Sequence, residues 1–411
     1  MGSKLIDLFC ALQLNDIRAP PRVNYATRLF MDFSWTDEQV GFRRRVRNFL
    51  QANLPKDWYE NYVFGLGSEQ QLDFSREFCA KLAEEGLLTS HWPKEYGGAD
   101  SSLWDLFIES EEMWDFAEPR GPQYMGTNWI GPALLKFGTA EQKAEHLPRI
   151  ASGKYIWCQG FSEPQAGTDL AALTTRAERA GSKYIINGMK IWTSYAYKAD
   201  WMFLLARTSS SRKSISVFLV PMNAPGIRVV GFPGLVEPGH LHEVHFTDVE
   251  VPVSARVGEE GQAWPIVTYA LSHERVGLPR YQWADRVLGL AIEMLKIDGK
   301  FTETLQAESA RILAKIEVAR VLAYAVMNER IADGARAEAT LPNVQRIAAA
   351  DACSDLLSFL MDNLPETLCG RSKFIELFYR AQIVSTIASG TYELQLDLLS
   401  HRALQLPRMY T

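Results

Sequence analysis

Three short stretches of this chain hold residues whose types and spacing could do chemistry. In the first, Leu271-Ser272-His273-Glu274-Arg275-Val276-Gly277-Leu278, a carboxylate sits among apolar neighbours. A carboxylate that loses hydration has a raised pKa and becomes a usable base near neutral pH. A Glu-Arg pair in a helix is more commonly a solvated ion pair, so Glu274 needs support from elsewhere. The second stretch is Ser162-Glu163-Pro164-Gln165-Ala166-Gly167-Thr168-Asp169-Leu170. Its hydroxyls and backbone amides, in a loop shaped by Pro and Gly, suit a polar, partly anionic ring ligand or a plain connection. The third, Trp192-Thr193-Ser194, puts a flat aromatic beside two hydroxyls. That fits a planar cofactor, although Trp as core is commoner.

Other chemistries lack their patterns. His240, His242 and His245 invite a metal reading. In a strand, however, His240 and His242 share a face while His245 points away. No carboxylate or Cys stands at zinc spacing from them, so no metal site is expected. Neither GxGxxG, a P-loop nor GxSxG is present, which leaves dinucleotide-fold and α/β-hydrolase readings without their motifs.

The elements that must position these stretches come in three blocks. Thr36-Asp37-Glu38-Gln39 is a capping box, followed by Phe42, Val46, Phe49, Leu50 and Leu54 on one helical stripe. Phe74 to Leu87, Trp104 to Trp114, Gly131 to Gly138 and Glu141 to Ala151 continue the helical period. Tyr184 to Trp192 reads as a hairpin turning at Asn187-Gly188. Trp201–Ala206, Ile215–Met222, Ile227–Phe232 and Glu243–Val251 are β-rich runs, with Gly231 to Gly239 as the main loop. From Gln262 the helical period returns, with Ile312, Ile316, Ala319 and Val321 to Ala323 facing inward on a long helix. The expected fold is α+β, mainly α: an N-terminal helical domain (31–153), a β-barrel or sandwich (154–258) and a C-terminal four-helix bundle (259–411). Residues 1–30 have no signal-peptide order, and Met31 looks like the more natural start, so they read as an extension from a misassigned start codon.

With 411 residues, 47% hydrophobic and 22% charged, the chain can bury a sizeable core. A net charge of -6 offers no basic field for nucleic acid. No apolar run reaches the roughly 18 residues of a membrane span. Cys10, Cys79, Cys158, Cys353 and Cys369 are scattered, without a CxxC pair. They read as reduced core thiols of a cytoplasmic protein rather than a disulfide framework or metal site.

Taken together, the stretches resemble the acyl-CoA dehydrogenase family. Ser162-Glu163-Pro164 to Asp169 is similar to the family's T/S-E-P-x-A-G-S/T-D signature, and Ile191-Trp192-Thr193-Ser194 to its W-x-T/S segment at the flavin. Phe246-Thr247-Asp248-Val249-Glu250-Val251-Pro252 resembles its second signature, Leu271 to Arg275 its E-R helix, and Gly390-Thr391-Tyr392-Glu393-Leu394-Gln395 its C-terminal G-T-x-E-I-Q. Lys136 to Ile150 also looks like a family segment. The resemblance implies oxidation of an acyl-CoA thioester to the trans-2-enoyl-CoA with FAD, electrons passing to an electron-transfer flavoprotein. It implies Ser162, Thr168, Trp192, Thr193, Ser194, Gly390 and Thr391 at the cofactor, with Thr168 and Arg275 also at the substrate.

Two departures from the family pattern shape the expectation. The base of many members precedes the C-terminal Gly-Thr, where this chain has Ser389, and a hydroxyl cannot serve. A minority place it before the earlier Arg, which is Glu274 here, so the resemblance assigns Glu274 as base and the Ser389 backbone N–H as thioester-oxygen donor. Homotetrameric members also carry Arg-x-x-Phe-Gly, reaching a neighbour's FAD pyrophosphate; here the stretch is Lys296-Ile297-Asp298-Gly299-Lys300-Phe301-Thr302. Without that phosphate clamp the chain resembles the base-bearing subunit of bacterial α2β2 heterotetramers, several of which act on steroid side chains. A homo-oligomer in which Lys296 or Lys300 replaces the Arg stays open. So do a non-catalytic subunit completing a partner's flavin site, and an oxidase or desulfinase.

Overall fold

The computed structural model describes residues 35–59, 68–211, 214–236, 240–274, 280–333, 340–388 and 390–407, without the side chains of 272–274, 333 and 385. Ser389, Arg275 and Cys10 lie outside the described residues. Helix α1 (Asp37–Asn53) begins directly after Thr36 and buries Val46, Phe49 and Leu50. Helices α2 (Glu69–Glu84), α3 (Leu103–Asp115), α4 (Gln123–Met125), α5 (Gly131–Phe137) and α6 (Ala140–Ala151) follow, with a π-helical turn (Gly126–Ile130) between α4 and α5. The starts of α3 and α6 are reciprocal capping boxes, Ser102 with Asp105 and Thr139 with Gln142. The Gln142 amide nitrogen also donates to the carbonyls of Ser254 (2.7 Å) and Arg256 (3.0 Å), tying this helix to the end of the sheet.

Eight strands form one sheet: β1 (Trp157–Gly160), β2 (Arg176–Ala180), β3 (Lys183–Ser194), β4 (Trp201–Arg207), β5 (Ile215–Pro221), β6 (Ile227–Phe232), β7 (Leu241–Pro252) and β8 (Arg256–Val257). Their order is β6-β7-β3-β2-β4-β5-β8, with β1 added parallel to β4. Phe218 of β5 and Val244 of β7 share one core cluster although far apart in that order, so the sheet curls over its own interior. The other face of β4 and β5 (Phe203, Leu205, Val217, Leu219) packs with Trp92, Trp129 and Ile130 of the N-terminal helices. Burial on both faces is why these two strands read as unbroken apolar runs.

The Asn187-Gly188 hairpin is not formed. Strand β3 runs straight through it, and the turn is the two-residue Gly181-Ser182 loop joining β2 to β3. Gly188 is required for another reason. Its φ is +145°, and a Cβ there would stand 2.6 Å from Thr175 Oγ1 and 2.7 Å from Thr175 Cα. Only glycine tolerates both the conformation and the close approach. Asn187 instead braces a bulge in β7: its Nδ2 donates to Asp248 Oδ1 (3.0 Å) and its Oδ1 accepts from Asp248 N (2.9 Å).

Helix α7 (Ala263–Glu274) leaves the sheet and buries Ala263, Ile266, Val267 and Ala270 in the core shared with the N-terminal helices. Helices α8 (Arg280–Ile297), α9 (Glu303–Asp333), α10 (Thr340–Asn363) and α11 (Lys373–Ser385) pack as a bundle, and α12 (Tyr392–Arg402) lies against α10. Ile312, Ile316, Ala319 and Ala323 face inward on α9 as expected, but Val321 is exposed. Cys79, Cys158 and Cys353 are buried, whereas Cys369 is exposed and so is no core thiol. No described helix is long and apolar enough to cross a membrane.

The helical domains are joined by a buried acidic seam on α3. Glu111, 1% exposed, meets the Arg43 guanidinium of α1 and accepts from the hydroxyls of Tyr281 on α8 and Tyr324 on α9. Asp115 binds Arg286 through both its carboxylate oxygens. Removing one member of a buried charged network strands the others without water, which costs about 3–5 kcal/mol, against about 1.5–3 kcal/mol for one hydrogen bond to a charged group. Glu111→Ala should therefore lower the denaturant midpoint about twice as far as Tyr324→Phe. Equal midpoints for the two variants would refute a load shared across the seam.

Candidate functional site

The Ser162 loop and the end of β3 are brought together by a buried ion pair. Lys190 is fully buried, and its ammonium donates to Glu163 Oε1 (2.8 Å) and the Phe161 carbonyl (3.0 Å). Glu163 Oε1 also accepts from Thr175 N (2.9 Å), and its other oxygen from Thr174 N (2.6 Å), Thr174 Oγ1 (2.8 Å) and Gln165 Nε2 (2.9 Å). Burial alone pushes this carboxyl up, but Lys190 and these donors more than offset it and hold it at about 2. The backbone adds a further pin, with Ile191 N donating to the Ser162 carbonyl (3.0 Å).

What the pinned segments present is an aromatic face with hydroxyls around it. Register with β7 slips between Lys190 and Thr193, so β3 carries one extra residue there. Trp192 takes it up at φ +62° and is turned outward, 59% exposed, with its ring edge-on to Phe232 at 5.2 Å. Tyr195, just past Ser194, is also left-handed at φ +61°. A non-glycine residue held there costs of order 1–3 kcal/mol, and such strain gathers at ligand sites. Thr193 is buried, and its hydroxyl has no partner among the described residues, while Ser162 and Ser194 are half-exposed. Hydroxyls ringing an exposed indole fit a planar, polar-edged ring such as a flavin.

Other expected site residues are dispersed. Thr168 is exposed on the loop. Gly390 and Thr391 stand at the start of α12, where Thr391 Oγ1 accepts from Leu394 N (3.2 Å) as the helix cap. Gly390 has φ +91°, and a Cβ there would meet Gln395 Nε2 at 2.7 Å. A left-handed backbone so crowded is glycine's to fill. Among the described residues no hydrogen bond joins either of them to Ser162 or Ser194. The backbone of Glu274 ends α7.

The histidines part company. His240 precedes β7 instead of sharing a strand face with His242. His240 Nε2 lies 3.3 Å from Ser194 Oγ, whereas His242 Nδ1 lies 3.1 Å from the Thr193 carbonyl and its ring stacks on Tyr197. His245 pairs with Glu243. No three metal-binding side chains cluster among the described residues.

Arg371, just before α11, grips Asp298 in the turn between α8 and α9 through two 2.8 Å bonds. Lys300 is shared between Asp298 and Glu366 at 3.8 Å each, and Lys296 sits over the Phe301 ring. The cations of this turn are thus engaged within the chain.

Family models for the acyl-CoA dehydrogenase N-terminal, middle and C-terminal domains match residues 36–154, 158–249 and 261–404. The chain belongs to the acyl-CoA dehydrogenase family. It is 33% identical to the acyl-CoA dehydrogenase FadE26 of Mycobacterium tuberculosis over 92% of this chain and 99% of that protein. Identity to the acyl-CoA dehydrogenase IpdE1 of the same organism is 30%, over 89% and 97%. Among solved structures, a chain of the Tcur3481-Tcur3483 steroid ACAD superposes with a TM-score of 0.82 at 29% identity, over 92% of this chain and all of that one. A chain of the ChsE4-ChsE5 complex from Mycobacterium tuberculosis gives 0.80 at 31%, over the same shares. Such relatives support an oxidoreductase built as helical, β and helical domains.

The Glu163–Lys190 pair escaped the motif reading, although one signal was present. Lys190 falls in the same alternation as the buried Tyr184 and Ile186. A lysine on an inward face demands a buried acid. Lys190→Met should strand Glu163 and destabilise the protein by about 3–5 kcal/mol in denaturant titration. A variant with wild-type stability would show that the pair does not hold the two segments.

Proposed function

We propose that this chain is the base-bearing subunit of an FAD-dependent acyl-CoA dehydrogenase, taking a bulky acyl-CoA of the steroid side-chain class to its trans-2-enoyl-CoA. The observation that carries the reading is the pinned arrangement of Ser162 beside the bulged Trp192-Thr193-Ser194, in a chain matched by the family in all three domains. Bound FAD would supply the acceptor for the hydride leaving Cβ, with its electrons then passing to an electron-transfer flavoprotein.

The chain's own residues do the rest. Ser162 and Ser194 offer hydroxyls to the ring's polar edge, Trp192 covers a face, and Thr168, Thr193, Gly390 and Thr391 complete the cradle. Glu274 takes the Cα proton. That proton is a poor acid until the thioester oxygen is gripped, for which the Ser389 backbone N–H serves, with Arg275 beside the substrate. A serine at 389 leaves room for the longer reach from Glu274, so the two departures from the family pattern support each other.

The partner follows from phosphate chemistry. A pyrophosphate needs a cation. In the α8–α9 turn Lys300 is already shared between Asp298 and Glu366, and Arg371, just before α11, is held by the same two carboxylates. We infer that a second, homologous subunit supplies the clamp, and that the complex works in the bacterial cytoplasm on lipid or steroid degradation. Expressed alone, the chain should hold well under one FAD per protein, and co-expression with such a subunit should restore it. A full flavin complement in the isolated chain would point to a homo-oligomer instead. In the flavin-loaded complex, Glu274→Gln should abolish bleaching of the flavin by acyl-CoA while leaving FAD bound. Unchanged bleaching would refute Glu274 as the base.

A further inference from the structure

The Ser194 hydroxyl has one neighbour that the proposed chemistry has not used, the imidazole of His240. Its Nε2 lies 3.3 Å from Ser194 Oγ, and its ring meets Tyr195 edge-on at 4.8 Å. The His240 backbone is fixed as well, because its carbonyl accepts from Tyr195 N at 3.0 Å, directly after the Ser194–Leu241 pair that closes the sheet. Both sides of the contact are thus held by the left-handed turn at Tyr195.

The chemistry of the ring then decides which way the hydroxyl points. His240 Nδ1 is buried with no partner among the described residues. A buried N–H without an acceptor is the rarer orphan, so the proton belongs on Nε2, and Nε2–H donates to Ser194 Oγ. That fills one acceptor site of the oxygen and directs its own hydrogen away from His240. Burial also keeps the ring neutral, its pKa lowered to about 4 mainly by desolvation with a smaller push from His242.

We propose that His240 is a positioning residue: it orients the Ser194 hydroxyl as a donor toward a nitrogen at the polar edge of the flavin ring, and so biases the oxidised against the reduced flavin. The inference rests on the reading of Ser194 as a flavin-ring donor. Nothing about the identity of the acyl group enters it.

The test uses the flavin-loaded protein, with its partner subunit where loading requires one, and no acyl-CoA. Dithionite titration against a reference dye gives the ratio of reduced to oxidised flavin at a fixed potential, and the visible spectrum is recorded alongside. Losing one hydrogen bond's worth of orientation should change that ratio about 5-fold in His240→Leu and shift the flavin bands. His240→Gln, whose amide Nε2 stands near the place of the imidazole Nε2 and keeps the N–H donor, should restore most of both. The Ser194→Ala variant should move both readouts, and adding His240→Leu to it should do nothing more. Wild-type readouts in His240→Leu, or a further change in the double variant, overturn the role of His240 while sparing that of Ser194. Wild-type readouts in Ser194→Ala overturn the Ser194 reading and the inference with it. If His240→Leu does not fold, His240→Phe, which fills the ring's space without a donor, takes its place, with the same two outcomes.

Discussion

The site depends on one buried ion pair. Lys190 and Glu163 are each nearly inaccessible. Neither could be charged there alone, because an unpaired ion costs far more to bury than side-chain packing returns. Together they are satisfied: the ammonium has a carboxylate and a carbonyl, and the carboxylate also has backbone and hydroxyl donors from Thr174 and Thr175. The pair therefore forms only when the Ser162 loop, the start of β2 and the middle of β3 are all in place. That makes it a specificity device more than a source of stability.

A second constraint works at domain scale. The α3 seam puts Glu111, Glu112 and Asp115 inside the helical assembly, with arginines from α1 and α8 as counterions. Nearby, Arg120 is fully buried between Glu109 and Glu118, and burial outweighs the arginine to push the Glu109 carboxyl up to about 8. Charges of this kind are satisfied by one arrangement of helices and penalise any other. The helix carrying Glu274 is anchored through Ile266 and Val267 to a different core, the one that β4 and β5 share with Trp92 and Trp129. Its position relative to the sheet is thus set by apolar packing, and that of α8 and α9 by the seam.

The sequence makes the block order, most helices and four of the longer strands legible, because amphipathic period and capping boxes are local signals. The helical period over Glu141 to Ala151 shows α6 in advance, and the structure opens that helix with the Thr139–Gln142 capping box. Asn187-Gly188 misleads because the same glycine permissiveness that suits a turn also suits a close approach, and only Thr175, well before it in the chain, decides between them. Short β1 and β2 carry too few residues to show a period. Site residues are legible as motifs, yet their support is not. Glu163 looks like one more polar loop residue until Lys190 is seen behind it, and His240 looks like half of a metal pair until its partner proves to be Ser194.

Trp192 shows why periodicity could not place the ring of the site. On strict alternation it would share the inward face with Tyr184, Ile186 and Lys190 and be core, as Trp usually is. One residue inserted in β3 turns it out and sends Thr193 in. An insertion alone would leave all later pairing out of step by one residue. Here it does not, because β7 carries its own extra residue at Asp248, where φ is +50°. Ile186 pairs with Val249 and Ser194 with Leu241, so equal lengths of the two strands lie between those pairs, and only the stretch between the bulges is out of phase. Two bulges of opposite effect give a sheet that is regular at both ends and irregular where Trp192 must face outward. The bracing of Asp248 by Asn187 then belongs to the site as much as Trp192 does, because without the first bulge the second would misplace Ser194 and everything it touches.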